Sequence, residues 1–366
     1  MEKKITFGNW EAVCMLVTMI GTKVILNFPR AAAETAGTAG WIMSLYISIL
    51  AILAFLIISR LYTPFKGKDL LDIAETAGGK TVRFITGILV LLLIGFLVSS
   101  QLRQFSEQMK TISFTDTPIS MVMLFFLAGM MAGAYFGIEG IVRFQAILVP
   151  VSIAAYIIFL FLLMPDYDIN NIFPILGNGG YDIFVRGFTV LSEYAEILFL
   201  FLIIPFIGGN KNFKAVGYTS LILSSFFLVS LPLAFLLTIP YPAAMESTLP
   251  AFDLGRIINY GRFFQRVEAV FIITWGTMGY MYLSTGFFFL IYVFRKTLGL
   301  EYHKPLILPF AVITFSTGML PKSLMATIDI ILKYYRYYYG IVAFAIPILL
   351  LIIAGLRKKA GSFEKT

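Results

Sequence analysis

One cysteine, one histidine and a charged fraction of 13% leave this 366-residue chain little of the usual catalytic equipment. Cys14 alone permits no internal disulfide, no CxxC redox pair and no cysteine-built zinc cage. His303 alone leaves the serines and threonines without an imidazole base at hand and rules out histidine-rich metal centres. The sequence contains no GxGxxG, Walker A, HExxH or GxSxG pattern. Enzymatic activity, a cofactor and a metal ion are therefore not expected. Soluble domains carry about 25% charged residues, so the shortage of charge also excludes a cytosolic enzyme and a disordered chain.

What is plentiful is apolar: 59% of the residues, with a mean hydropathy of +0.88. Crossing a bilayer core takes about 20 apolar residues per helix. Runs of that kind predict ten spans, at 10–30, 40–61, 80–110, 118–138, 144–164, 186–207, 215–239, 262–294, 305–320 and 337–356. The expected fold class is an all-α polytopic membrane protein, with the ninth span short and interrupted by Gly318 and Pro321. With the N-terminus inside, 17 of the 28 Lys and Arg fall on the cytoplasmic side, 10 on the opposite side, and Lys23 within a span. The positive-inside rule then puts both termini in the cytoplasm. Segment 165–185, with three Asp and no Lys or Arg, fits an external connection. The net charge of +8 is thus a topology signal, and the expected surroundings are membrane lipid and not nucleic acid.

Two spans carry polar interruptions. The first reads TMIGTKVILNFPR, with Gly21, Thr22 and Lys23 near its middle and Asn27 and Pro29 near its end. The sixth, RGFTVLSEYAEILFLFLIIP, carries Leu191, Ser192, Glu193, Tyr194 and Glu196 at a similar depth. Irregular backbone at membrane depth is tolerated where it lines a protein cavity. Interrupted segments opening two five-helix halves mark an inverted-repeat transporter with its ligand site at the midplane. The halves are 10–164 and 186–356, joined by the external segment 165–185 and followed by a cytoplasmic tail, 357–366. An unwound turn frees amides for a ligand carboxylate and carbonyls for an ammonium. Ser99 on the third span and Thr274 and Thr277 on the eighth complete the expected ligand-binding set. Lys23, costly at the centre of a span, is expected to pair with Glu196, or with Glu193 one turn earlier.

Lesser features have simpler readings. Residues 66–79 predict a short interfacial helix and 251–261 a short external one. Tyrosines 334, 335, 337, 338 and 339 predict an interfacial belt. Gly129, Gly133 and Gly137 form a small-residue packing seam, and Arg103 with Glu107 reads as a surface ion pair.

The stretches IGTKVILNFPR (20–30), RQFSEQMK (103–110), TPIS (117–120), GIEGIVRFQAILVP (137–150), NNIFPILGNG (170–179) and QRVEAVF (265–271) run across the chain. In this order, on ten spans, the chain resembles the B-subunit family of bacterial spore germinant receptors, endospore germination permeases of the amino acid–polyamine–organocation superfamily. The resemblance implies a LeuT-type five-plus-five inverted repeat with broken helices 1 and 6. It also implies residence in the inner spore membrane, or the bacterial cell membrane, beside A and C subunits. The ligand would be a small germinant, an amino acid most often, between the first and sixth helices and bordered by the third and eighth. Relatives in the superfamily often have a small residue where this chain has Lys23, so the lysine blocks an ion site or replaces the ion. Three functions remain open: a nutrient-sensing subunit, a proton-coupled amino-acid transporter, and a structural subunit with a vestigial pocket.

Overall fold

A computed structural model describes residues 7–207, 212–259 and 267–363. Helix α1 (Asn9–Gly21) gives way to a 3-10 turn at Thr22–Ile25 before α2 (Phe28–Ala36) resumes. Pro29 explains the restart: it has no N–H to return to the Ile25 carbonyl, but its fixed φ suits the first turn of a new helix. Then follow α3 (Gly40–Leu61), α4 (Leu70–Ile112), α5 (Ile119–Phe136) and α6 (Ile138–Leu163). The interfacial helix foreseen at 66–79 is the first stretch of α4. A kink at Gly78–Gly79, with Gly79 at φ 75°, separates it from the long span.

The second half opens at Asp182–Arg186 and passes through a very short α7 (Gly187–Thr189). It tightens to a 3-10 helix over Val190–Ile197 and resumes as α8 (Leu198–Ile203). Eight residues of 3-10 winding exceed the three or four at which such runs usually stop. The remaining helices are α9 (Asn212–Thr238), α10 (Tyr241–Ala244), α11 (Pro250–Ile257), α12 (Val267–Leu298), α13 (Ile307–Gly318), α14 (Leu324–Ile330) and α15 (Ile346–Phe363). Between α14 and α15 the chain winds as π-helix over Ile331–Tyr339 and Ile341–Ala345.

Among the described residues, eight helical stretches are long and apolar enough to cross a membrane. The other two of the ten expected spans are the broken first one and the short ninth, Lys304–Gly318. Residues 262–266, expected to begin the eighth span, lie outside the described residues. Burial sorts centre from rim: 78% of the most apolar stretch of Asp182–Phe206 is buried, against 22% of that of Ile138–Asp166. The broken segments are thus central, and α6 turns Phe144, Ile147 and Phe161 outward as a lipid-facing helix does. Segment 165–185 lies over the C-terminal end of α2, where the Asn178 amide donates to the Ala36 carbonyl. Gly177, at φ 52°, leaves no room for a Cβ against that carbonyl.

The end of the bundle carrying both termini is tied by charge and aromatic stacking. Asp69 caps the interfacial helix by accepting from the Asp72 amide at 2.9 Å. The same carboxylate accepts from Lys296 at 2.5 Å and from the Tyr292 hydroxyl at 3.0 Å. Burial pushes the Asp69 carboxyl up from its ordinary value, against the pull of Lys296. The Phe206 ring stacks on Phe7 and meets Tyr292 edge-on.

The glycine seam resolves into two roles. A Cβ at Gly129 would lie 1.6 Å from the Tyr280 ring and one at Gly133 2.9 Å from Ser284, so both let α5 approach α12. Gly137, at φ 86°, instead ends α5. Tyr280 is held by its hydroxyl, which donates to the Phe125 carbonyl at 2.7 Å. Gly129→Leu should therefore destabilise the bundle by about 1–3 kcal/mol, the usual overpacking cost, read as a fall in thermal midpoint. An unchanged midpoint would contradict this α5–α12 contact.

Candidate functional site

Lys23 lies in the 3-10 turn that interrupts the first span, and Glu196 in the 3-10 stretch of the sixth. Lys23 Nζ is 2.6 Å from Glu196 Oε2 and 3.5 Å from Glu193 Oε2. Glu196 is wholly buried and Lys23 nearly so, while the Glu193 side chain keeps 20% of its exposure. On the second oxygen of Glu196, the Tyr282 hydroxyl of α12 donates at 3.4 Å. The pair therefore joins three elements: both interrupted spans and the helix that packs beside them. Withdrawing two charges from water costs several kcal/mol per ion, which only close geometry and further hydrogen bonds offset. Among the described residues, one ammonium here faces two carboxylates within 4.0 Å.

The break also orphans polar atoms. The Thr22 hydroxyl is buried and, among the described residues, has no hydrogen-bond partner. Leaving such a group unmet costs about 1–3 kcal/mol, which makes it a candidate ligand contact. On α4, the side-chain oxygen of Gln101 and the side-chain nitrogen of Gln108 are in the same position. Gln104 donates to the Asn27 side-chain oxygen at 2.8 Å, with the Asn27 amide turned to donate to the Thr248 carbonyl at 3.1 Å. Just beyond the break, Ile25, Leu26, Gln108, Phe252 and Trp275 line a cavity of about 10 Å³. That is room for about one water, so a larger guest requires the outer segments to part.

The expected site residues divide. Lys23, Glu193 and Glu196 come together, with Thr22 next in the chain. Gly21 turns away from Leu191–Tyr194: a Cβ there would meet Phe227 of α9 at 3.6 Å. The Tyr194 hydroxyl is engaged by Ser48 at 2.6 Å and Ser225 at 2.9 Å. Ser99 accepts from Thr317 of α13, and Thr277 donates to the Ile273 carbonyl of its own helix. Ser192 donates to the Thr189 carbonyl, while Leu191 and Thr274 are half-buried. Arg103 and Glu107 do not form the surface pair expected of them. They meet at 2.7 Å with side-chain exposures of 5% and 16%, because α4 is packed against α12, α13 and α14. Sequence reading missed Tyr282 and Gln104. Tyr282 follows Trp275 and Met278 on the buried stripe of α12, the one signal that it faces inward.

Removing one member of the pair strands the other. Lys23→Met and Glu196→Gln should each destabilise the protein by about 3–5 kcal/mol. The double variant should recover part of the loss, leaving a coupling energy of about 0.5–3 kcal/mol in thermal unfolding. Strictly additive effects would show that the two charges do not support each other.

Comparison with known proteins places the chain. A family model described as spore germination protein matches residues 9–326. Spore germination protein B2 of Bacillus subtilis (strain 168) is 26% identical over 75% of this chain and 74% of its own length. YndE of the same organism is 22% identical over 95% and 96%, and GerLB of Bacillus cereus 25% identical over 95% and 93%. Among solved structures, Mhp1 is a nucleobase-cation-symport-1 family transporter seen closed with bromovinylhydantoin bound. It aligns with a TM-score of 0.69 at 12% identity, covering 97% of this chain and 91% of its own. A sodium-coupled sialic acid symporter, substrate-bound and outward-open, aligns at 0.64 with 13% identity, covering 96% and 91%. At such identities the likeness establishes the fold, which is the LeuT type expected from the resemblance. The chain is an integral membrane protein and belongs to the spore germination protein family.

Proposed function

We propose that the chain is the nutrient-sensing membrane subunit of a spore germinant receptor. It binds a small germinant, an amino acid in the first instance, between the interrupted first and sixth spans. With A and C partner subunits it then triggers germination from the inner spore membrane, or from the cell membrane. Both termini are cytoplasmic, on the strength of the 17 to 10 split of Lys and Arg. The repeat halves are 10–164 and 186–356. The observation that carries the reading is the 2.6 Å contact of Lys23 with Glu196, which joins the two interruptions at the point where ligands of this fold class are held. In the resting state the pair closes the site; a ligand that competes for either charge shifts the population to an open packing. A ligand can shift that balance only by its difference in affinity for the two packings.

Glu193, partly exposed and 3.5 Å from Lys23, supports a second reading, a proton-coupled amino-acid transporter, because a carboxyl beside a lysine at membrane depth can load and release a proton. Thermal stabilisation of the purified chain by a panel of amino acids and nucleosides, together with uptake in proteoliposomes, separates the two. A sensor shows stabilisation and no uptake. Uptake driven by a pH gradient would replace it with the transporter. Thr22→Val locates the ligand: removing an orphan hydroxyl should leave the unliganded midpoint level or higher, yet reduce the ligand-induced shift. An undiminished shift would place the ligand away from the break.

A further inference from the structure

The last span meets the interrupted sixth one through a region wound as π-helix. Such winding is rare and appears mostly at functional sites; here it covers Ile331–Tyr339. Just beyond it, Gly340 brings its backbone against Ser192, where an added Cβ would lie 3.5 Å from the Ser192 amide nitrogen. One turn earlier stands Arg336, which reaches the outer half of the first span. Its Nη2 donates to the buried Thr35 hydroxyl at 2.9 Å. Among the described residues no carboxylate lies within 4.0 Å of this guanidinium. Glu193 and Glu34 are near enough to act on it electrostatically, but neither touches it.

Charge around the two interruptions is therefore unevenly shared. Lys23 has two carboxylates at hand, and Arg336 has a neutral hydroxyl. Glu193 is within electrostatic reach of both, touching Lys23 at the long distance of 3.5 Å and keeping some exposure. A molecule with an ammonium and a carboxylate on one carbon complements both ends of this imbalance. A planar guanidinium is also the side chain best fitted to grip a carboxylate with two hydrogen bonds.

On the reading that the germinant binds at the broken segments, we propose that Arg336 is the carboxylate-binding residue of that site and Glu193 the ammonium-binding one. The ligand class is then the α-amino acid zwitterion, with the last span supplying half of its recognition. A neutral nucleoside or sugar answers neither charge. An arginine that only snorkels toward the outer interface would instead treat an amino acid and its amide alike.

The test uses the full-length chain in lipid nanodiscs and thermal stabilisation by the twenty amino acids and a set of nucleosides. For every amino acid that stabilises, its carboxamide and its deaminated acid are tested as well. Wild type should respond to the amino acid and lose most of the response with either analogue, a result that needs no variant to fold. Arg336→Gln should weaken apparent affinity for the amino acid roughly tenfold to a hundredfold, and Arg336→Lys should weaken it less. Glu193→Gln should weaken the amino acid more than the deaminated acid. Equal stabilisation by an amino acid and its carboxamide, or undiminished affinity in Arg336→Gln, would overturn the role of Arg336. If Thr22→Val still reduces the shift in that case, the site at the break stands; if it does not, that reading falls too. Stabilisation by nucleosides alone, or by none of the compounds, would overturn the zwitterion assignment.

Discussion

A lysine ammonium held between two broken helices is the constraint on which this architecture turns. An isolated charge at mid-span costs about 2.5–3.5 kcal/mol on insertion scales. Lys23 is accommodated because Glu196 and Glu193 meet it, and they can do so because both spans are wound as 3-10 helix at that level. Regular α-helix would satisfy its own carbonyls and amides and leave no free backbone beside the charges. Broken backbone and buried ions thus depend on one another. Pro29 starts the helix that follows the first break, and the Tyr282 hydroxyl of α12 donates to the second carboxylate oxygen of Glu196.

The two ends of the bundle are closed by different means. At the end bearing the termini, Asp69, Lys296 and Tyr292 form a charged clasp, and Phe206 bridges Tyr292 to Phe7. At the other end the closure is mostly apolar and tight, with Leu26, Leu249, Phe252 and Trp275 around a space the size of one water. A ligand entering from that side displaces packing, while opening the opposite side breaks ion pairs. Packed interfaces of this kind switch between discrete arrangements and do not deform gradually. A sensor and a transporter built this way differ in whether the charged clasp ever lets go.

Much of this was legible in the residues. Apolar runs gave ten spans; among the described residues eight helical stretches are long and apolar enough to cross, and the two that fall short are the first, interrupted after Gly21, and the ninth, which ends before Pro321. Lys23 and Glu196 could be matched across 173 positions because each is an ion where ions are expensive. Uncharged groups carry no such signal. Tyr194, Ser99 and Thr277 looked like ligand contacts by type and depth, but hydroxyls bond readily to whatever carbonyl or hydroxyl is nearest, and theirs do. Gly21 was read by its softness, whereas its open side is set by Phe227 on a distant helix. Arg103 shows the same limit: its partner at i+4 is evident from spacing, but its burial depends on three helices that pack later in the chain.

On the reading proposed above, the Lys23–Glu196 pair keeps the break in the first span closed. Thr22, buried beside it, reports on this directly. In a Cys14→Ser background, Thr22→Cys is exposed to a small membrane-permeant methanethiosulfonate reagent and its labelling rate measured with and without Glu196→Gln. Labelling should be slow while the pair is intact and markedly faster once Glu196 is neutralised. Equal rates in the two proteins would contradict that reading.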